Sequence, residues 1–161
     1  MPRSEPCSAP VERQITALAP RIETDRLTVD IALLIARAVV GVIFIAHGAQ
    51  KLFGAFGGAG LAGAVQHLGP VVGYLITVDE LFGGLGLLVG FLSRFSAFWL
   101  TVDMIGAIVK VHGKNGFFLS PKPGFEYNLA LIGLLLVVLI AGPGRFAVSR
   151  VVPFLRHPIV E

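Results

Sequence analysis

The chain has 161 residues, about one domain's worth. Hydrophobic residues make up 55% of it and charged residues 14%, against roughly 25% charged in an average soluble protein, and the mean hydropathy is +0.81. That balance excludes a soluble globular enzyme and a disordered regulator, and it points to an integral membrane protein. The formal net charge of +3 comes from 13 scattered Lys and Arg. They form no basic patch interleaved with aromatics, so no nucleic-acid partner is expected.

Residues 1–28 contain Pro2, Pro6, Pro10 and Pro20 among Arg and Glu, and they read as a disordered cytoplasmic tail. They do not read as a secretory signal, because the first apolar run starts only near Val29 and is too long for one. Cys7, the one cysteine, lies in this tail and reads as an exposed thiol without a role.

Four apolar stretches follow: Val29–Ala49, Pro70–Leu92, Phe95–Val111 and Tyr127–Ala141. A span needs about 20 apolar residues, or roughly 17 at the short end. The first two qualify outright, and Lys110, His112 and Glu126 can carry the other two into the interface. The runs are continuous rather than alternating, so the expected fold is all-α: a four-helix transmembrane bundle over residues 29–145, with a short tail at 146–161. Arg13, Arg21, Arg26, Arg94, Arg145, Arg150 and Arg156 fall on the side of the termini, and Lys51, Lys110, Lys114 and Lys122 on the other. This bias places both termini in the cytoplasm of a bacterial-type plasma membrane.

Between the first two spans lie Gly54, Gly57, Gly58, Gly60 and Gly63. No strand precedes them and no GKS/T follows, so flexible turns or a short re-entrant piece with Phe53 and Phe56 fit better than a phosphate loop. Small residues recur at Gly83, Gly86 and Gly90, and at Ser93, Ala97 and Thr101. These rows suit close helix packing within the chain, with a homo-oligomer through the Gly86/Gly90 face as the alternative.

Ionisable groups inside a span are costly unless paired or wet, so they mark candidate function. At 1.5 Å per residue, Arg37 and Asp103 lie about 10 and 13 Å from the cytoplasmic side and Glu80 about 18 Å. Arg37 and Asp103 are expected to form a structural ion pair, with Glu80 as the other candidate partner of Arg37. An outer layer gathers His47, Gln50, Lys51, Lys110, His112, Asn115, Glu126 and Tyr127. Arg37, Phe44, His47 and Lys51 fall within about 80° on one helix face. No helix carries an HxxxH or ExxH pair, so no metal is expected. Histidine and carboxylate at a membrane interface suit the carbonyls and protons of a quinone, because histidine titrates near neutral pH.

The segment His47-Gly-Ala-Gln-Lys-Leu-Phe-Gly, followed by Phe56-Gly-Gly-Ala-Gly60, resembles the helix-one signature of the DoxX family of small four-helix membrane proteins. Asp79-Glu-Leu-Phe-Gly-Gly, Gly90-Phe-Leu-Ser-Arg94, Val111-His-Gly-Lys-Asn-Gly-Phe-Phe118, Gly124-Phe-Glu-Tyr127 and Gly142-Pro-Gly-Arg145 continue the likeness in order, over about residues 30–150. The resemblance implies a membrane subunit or partner of a quinone-linked oxidoreductase. It makes His47, Lys51, Glu80, His112, Glu126 and Tyr127 the candidate quinone and proton site. It implies a partner oxidoreductase chain and no covalent cofactor. With no thiol in the bundle, direct sulfur transfer on this chain is not expected. A non-catalytic scaffold and a small-solute or proton transporter are the competing readings.

Overall fold

A computed structural model describes residues 9–151, with side chains from 23 to 150. Cys7 and Arg156 lie outside the described residues. The fold is all-helical. Helix α1 runs Ala9–Phe53. A single helical turn at Ala55–Gly57 leads to α2, Gly60–Leu68. Helix α3 is Pro70–Val89 and α4 is Ser93–Asn115. Helix α5 is Glu126–Ala141, and a last turn, α6, is Val148–Val151.

Three of these helices, counted as Glu23–Phe53, Pro70–Val89 and Ser93–Asn115, are long and apolar enough to cross a membrane. Helix α5 has the required composition but only 16 residues, which at 1.5 Å each gives about 24 Å. That falls short of a hydrocarbon core of about 30 Å. The side of the bundle holding the α3–α4 turn is termed proximal here, and the side holding the α1–α2 connection distal.

The start of α1 corrects the expected tail. Residues 9–28 continue the helix of the first span. Once a helix is nucleated in the apolar segment, each further residue adds a hydrogen bond at little cost. Spaced opposite charges on the exposed face, such as Glu23 and Arg26, suit that extension. The glycine-rich connection is likewise ordered rather than a flexible turn: α2 folds back on the start of α3. A methyl on Gly73 would meet the Ala64 carbonyl at 2.9 Å, so the two backbones touch.

The core sits where α1, α3, α4 and α5 meet: Val40, Phe44, Leu87, Ala97, Leu100, Met104, Leu131, Leu135 and Val138 form one buried cluster. Lipid offers no hydrophobic drive between helices, so close backbone approach has to hold them. Helices α1 and α3 meet through glycine on both sides. A Cβ on Gly41 would lie 2.8 Å from the Gly84 carbonyl oxygen, and one on Gly84 would lie 2.8 Å from the Ile45 nitrogen.

The Gly86/Gly90 face packs against other parts of the same chain, the close packing expected for these small residues. A Cβ on Gly86 would lie 2.8 Å from the Phe91 oxygen and 2.9 Å from Ser96 Oγ. Gly90 turns the chain at φ 78°, and a methyl there would strike Ala147 and the Arg37 guanidinium. Residues 146–151, expected as the start of a tail, pack under this turn. Ala147 and Ser149 are buried, and the Ser149 nitrogen donates to the Gly90 carbonyl at 3.3 Å. The Arg145 nitrogen donates to Asp30 at 2.9 Å, and Arg94 Nη2 donates to the Ile140 carbonyl at 3.2 Å.

Candidate functional site

The α3–α4 hairpin decides which acids meet. Glu80 stands ten residues before Gly90, and Asp103 ten residues after Ser93, so both lie about 15 Å above the turn. Helix α3 widens into a π turn at Asp79–Gly83, which carries both Asp79 and Glu80. Such turns re-aim side chains and are frequent at functional sites. Glu80 points inward and is 3% exposed, while Asp79 is half-buried. Near its distal end, α1 supplies Lys51, whose Nζ pairs with Glu80 Oε2 at 2.5 Å. The Asp103 carboxyl lies against Glu80, with Lys51 and Asp79 also within electrostatic reach. One of its oxygens, Oδ2, is buried with no hydrogen-bond partner.

This arrangement overturns the expected Arg37–Asp103 ion pair. Arg37 is fully buried, yet it lies at the level of the α3–α4 turn, about 15 Å below Asp103. Its Nη1 donates to the Leu87 carbonyl at 3.5 Å and its Nη2 to the Phe146 carbonyl at 3.1 Å. The cation thus adds to the cap of the C-terminal turn of α3, where the helix dipole is negative. It also pins residues 146–151 to the bundle. Accordingly, Arg37→Leu and Asp103→Asn should shift the thermal midpoint in detergent additively, with a coupling under about 0.5 kcal/mol. A double variant more stable than Arg37→Leu alone would restore the ion pair.

Of the six candidate site residues, four come together in two pairs. Lys51 meets Glu80, and the rings of His47 and Tyr127 lie 6.5 Å apart, tilted at 57°. Both rings are half-buried, and their polar atoms have no hydrogen-bond partner among the described residues. The next residue, Asn128, is buried and donates to the Met104 sulfur at 3.4 Å, fixing α5 to α4 at this depth.

The other two hold a loop instead. His112 Nδ1 contacts the Pro123 carbonyl at 2.9 Å, alongside Asn115 at 3.0 Å. Glu126 Oε1 accepts from the Leu119 nitrogen at 2.8 Å. With Phe125 N→Gly116 O at 3.1 Å and a T-shaped Phe117–Phe125 contact, these bonds fold residues 116–125 into a compact cap at the distal end. Sequence reasoning left Asp79 out of the candidate site and paired Asp103 with the wrong partner. The equal heights of Glu80 and Asp103 above the α3–α4 turn were the signal that could have joined Asp103 to Glu80.

A family model described as DoxX matches residues 32–113 of this chain. The protein named "Putative oxidoreductase CatD" of Bacillus subtilis (strain 168) is 29% identical over 110 residues, covering 65% of this chain and 76% of that protein. "Inner membrane protein YqjF" of Escherichia coli (strain K12) is 29% identical over 126 residues, covering 75% of this chain and 92% of that protein. No solved structure matches the chain.

Proposed function

The chain belongs to the DoxX family, and from that premise we propose that it is a membrane subunit or partner of a quinone-linked oxidoreductase. The observation that carries this reading is the set of polar groups at one membrane depth: Lys51, Glu80, Asp79 and Asp103, with His47 and Tyr127. The oxidoreductase name of one relative supports the reaction class.

The site fits a quinone head group. His47 and Tyr127 offer uncommitted polar atoms to a carbonyl, and Asp103 Oδ2 is a buried acceptor without a partner. A bound quinone supplies two-electron chemistry coupled to two protons, the electrons coming from a partner redox chain. The protein's own residues do the rest. His47 and Tyr127 orient the head group. Three carboxyls against one ammonium give positions at which a proton is held and passed on. Lys51 keeps the acids from standing as bare charge in a region where that is costly. In this reading the proximal side, with Arg26, Arg94, Arg145 and Arg150, faces the cytoplasm.

His47→Ala and Tyr127→Phe should each lower quinol turnover in membranes containing the partner, by up to about 100-fold where the head group loses its orientation. His112→Ala should leave turnover within about twofold of wild type, because its ring serves the loop. Wild-type turnover in a His47→Ala/Tyr127→Phe double variant would reject the reading.

A further inference from the structure

Beneath the polar cluster the bundle is dry. Val40, Phe44, Leu87, Leu100 and Leu135 are each at most 1% exposed. They come from all four core helices and lie about 4 to 12 Å above the level of the α3–α4 turn, whereas Glu80 and Asp103 lie at about 15 Å. Leu100 is the topmost of these on α4. Its side chain and Asp79 Oδ1 both approach within 3.3 Å of the point where a Gly83 Cβ would stand, so the apolar layer begins directly under the acids. Among the described residues, Arg37 is the buried charged side chain below that layer, and its Nη atoms bond only backbone carbonyls.

Above the cluster the structure opens. Lys51 keeps 27% of its side chain exposed, and His47, Gln50, Asp79, Asp103, Ala107 and Tyr127 are all half-buried. Helix α5 starts about 24 Å above its own proximal end, so Glu126 and the loop hung from it lie inside the distal boundary of an apolar core of about 30 Å. That loop, from Gly116 to Pro123, is non-helical and exposed. Non-helical backbone at such depth persists only against protein or water, and the exposure of residues 116–123 favours water on this side.

We propose that the Lys51–Glu80–Asp79–Asp103 cluster exchanges protons with distal water alone. The apolar layer beneath it makes the chain a one-sided proton half-channel, closed to the proximal side. This deepens the quinone-linked reading by fixing the side on which the site's protons come and go. It also separates the chain from a transporter, which needs a route on both sides.

Single cysteines in a Cys7→Ser background test it, with the full chain in proteoliposomes and a membrane-impermeant sulfonated maleimide on one face at a time. Arg26→Cys, exposed at the proximal end, reports orientation. Gln50→Cys and Ala107→Cys should react only from the face opposite Arg26→Cys, and Ala97→Cys, in the dry layer, from neither face until SDS is added. Circular dichroism of each variant checks that it is folded. Reaction of Gln50→Cys or Ala107→Cys from the proximal face, or from neither face, overturns the proposal, as does reaction of folded Ala97→Cys. Wild-type vesicles loaded with a pH-sensitive dye should hold a pH gradient as long as empty ones, and a faster collapse also overturns it. Quinone binding is read separately, by quenching of Trp99 fluorescence with added ubiquinone analogue. Distal-only labelling without quinone binding leaves the half-channel standing and removes the quinone reading, and quinone binding with two-sided labelling does the reverse.

Discussion

Replacing Lys51 by methionine should lower the stability of the bundle by about 3 kcal/mol, the lower end of the cost of breaking a buried ion pair. The lower end applies because Lys51 is partly exposed, whereas its partner Glu80 is not. The loss leaves Glu80, Asp79 and Asp103 with no cation beside them in the membrane interior. The variant Lys51→Met/Glu80→Gln should recover most of that stability, because a neutral pair does not leave a stranded charge. Thermal midpoints of the two singles and the double in mild detergent give the coupling, expected at roughly 2–3 kcal/mol. Turnover should not recover with stability, since the double variant still lacks the carboxyl that passes a proton. A Lys51→Met variant as stable as wild type would mean that the pair holds nothing together.

Gly84→Leu should disrupt the packing of α1 against α3. A Cβ there already meets the Ile45 nitrogen at 2.8 Å, the Gly41 carbonyl at 2.9 Å and Phe44 Cβ at 3.0 Å. Two of those three atoms are backbone, so no rotamer change relieves the contact and α1 must move away from α3. Overpacking of this kind costs about 1–3 kcal/mol and more where backbone has to shift. The shift also pulls Lys51 from Glu80, since the two residues sit on those same helices. Loss of the folded monodisperse peak in size-exclusion chromatography is the expected result. Gly133→Ala is the control: nothing lies within 4 Å of its Cβ position, so it should behave as wild type. Equal behaviour of the two variants would show that α1 and α3 are not held by close backbone approach.

The membrane helices were legible because they rest on composition and continuous apolar runs. The spans beginning at Val29, Pro70, Phe95 and Tyr127 each reappear within a helix. The ends were less legible. Pro10, Pro20 and the charges before Thr28 look like a tail in isolation, yet a helix already nucleated in the span runs through them. The Lys51–Glu80 contact came from two residues singled out one by one, whereas His112 and Glu126 turned to the loop. Nothing in their spacing says that a ring or carboxyl will find the carbonyl of Pro123 or the nitrogen of Leu119.

By itself the sequence determined that this protein lives in a membrane as apolar helices, and which ionisable residues enter those helices at a cost. Both follow from the transfer of side chains between water and lipid, which each residue carries wherever it sits. Only the tertiary structure decided who neutralises whom. Partnership depends on relative height and facing between helices, and these are set by the Gly90 turn, the wide turn at Asp79–Gly83 and the glycine contacts of α1 with α3. About 15 Å of height took Asp103 from Arg37 and gave it to Glu80 and Lys51. The same offset left Arg37 to cap α3, below an apolar layer that separates the two charged levels of the bundle.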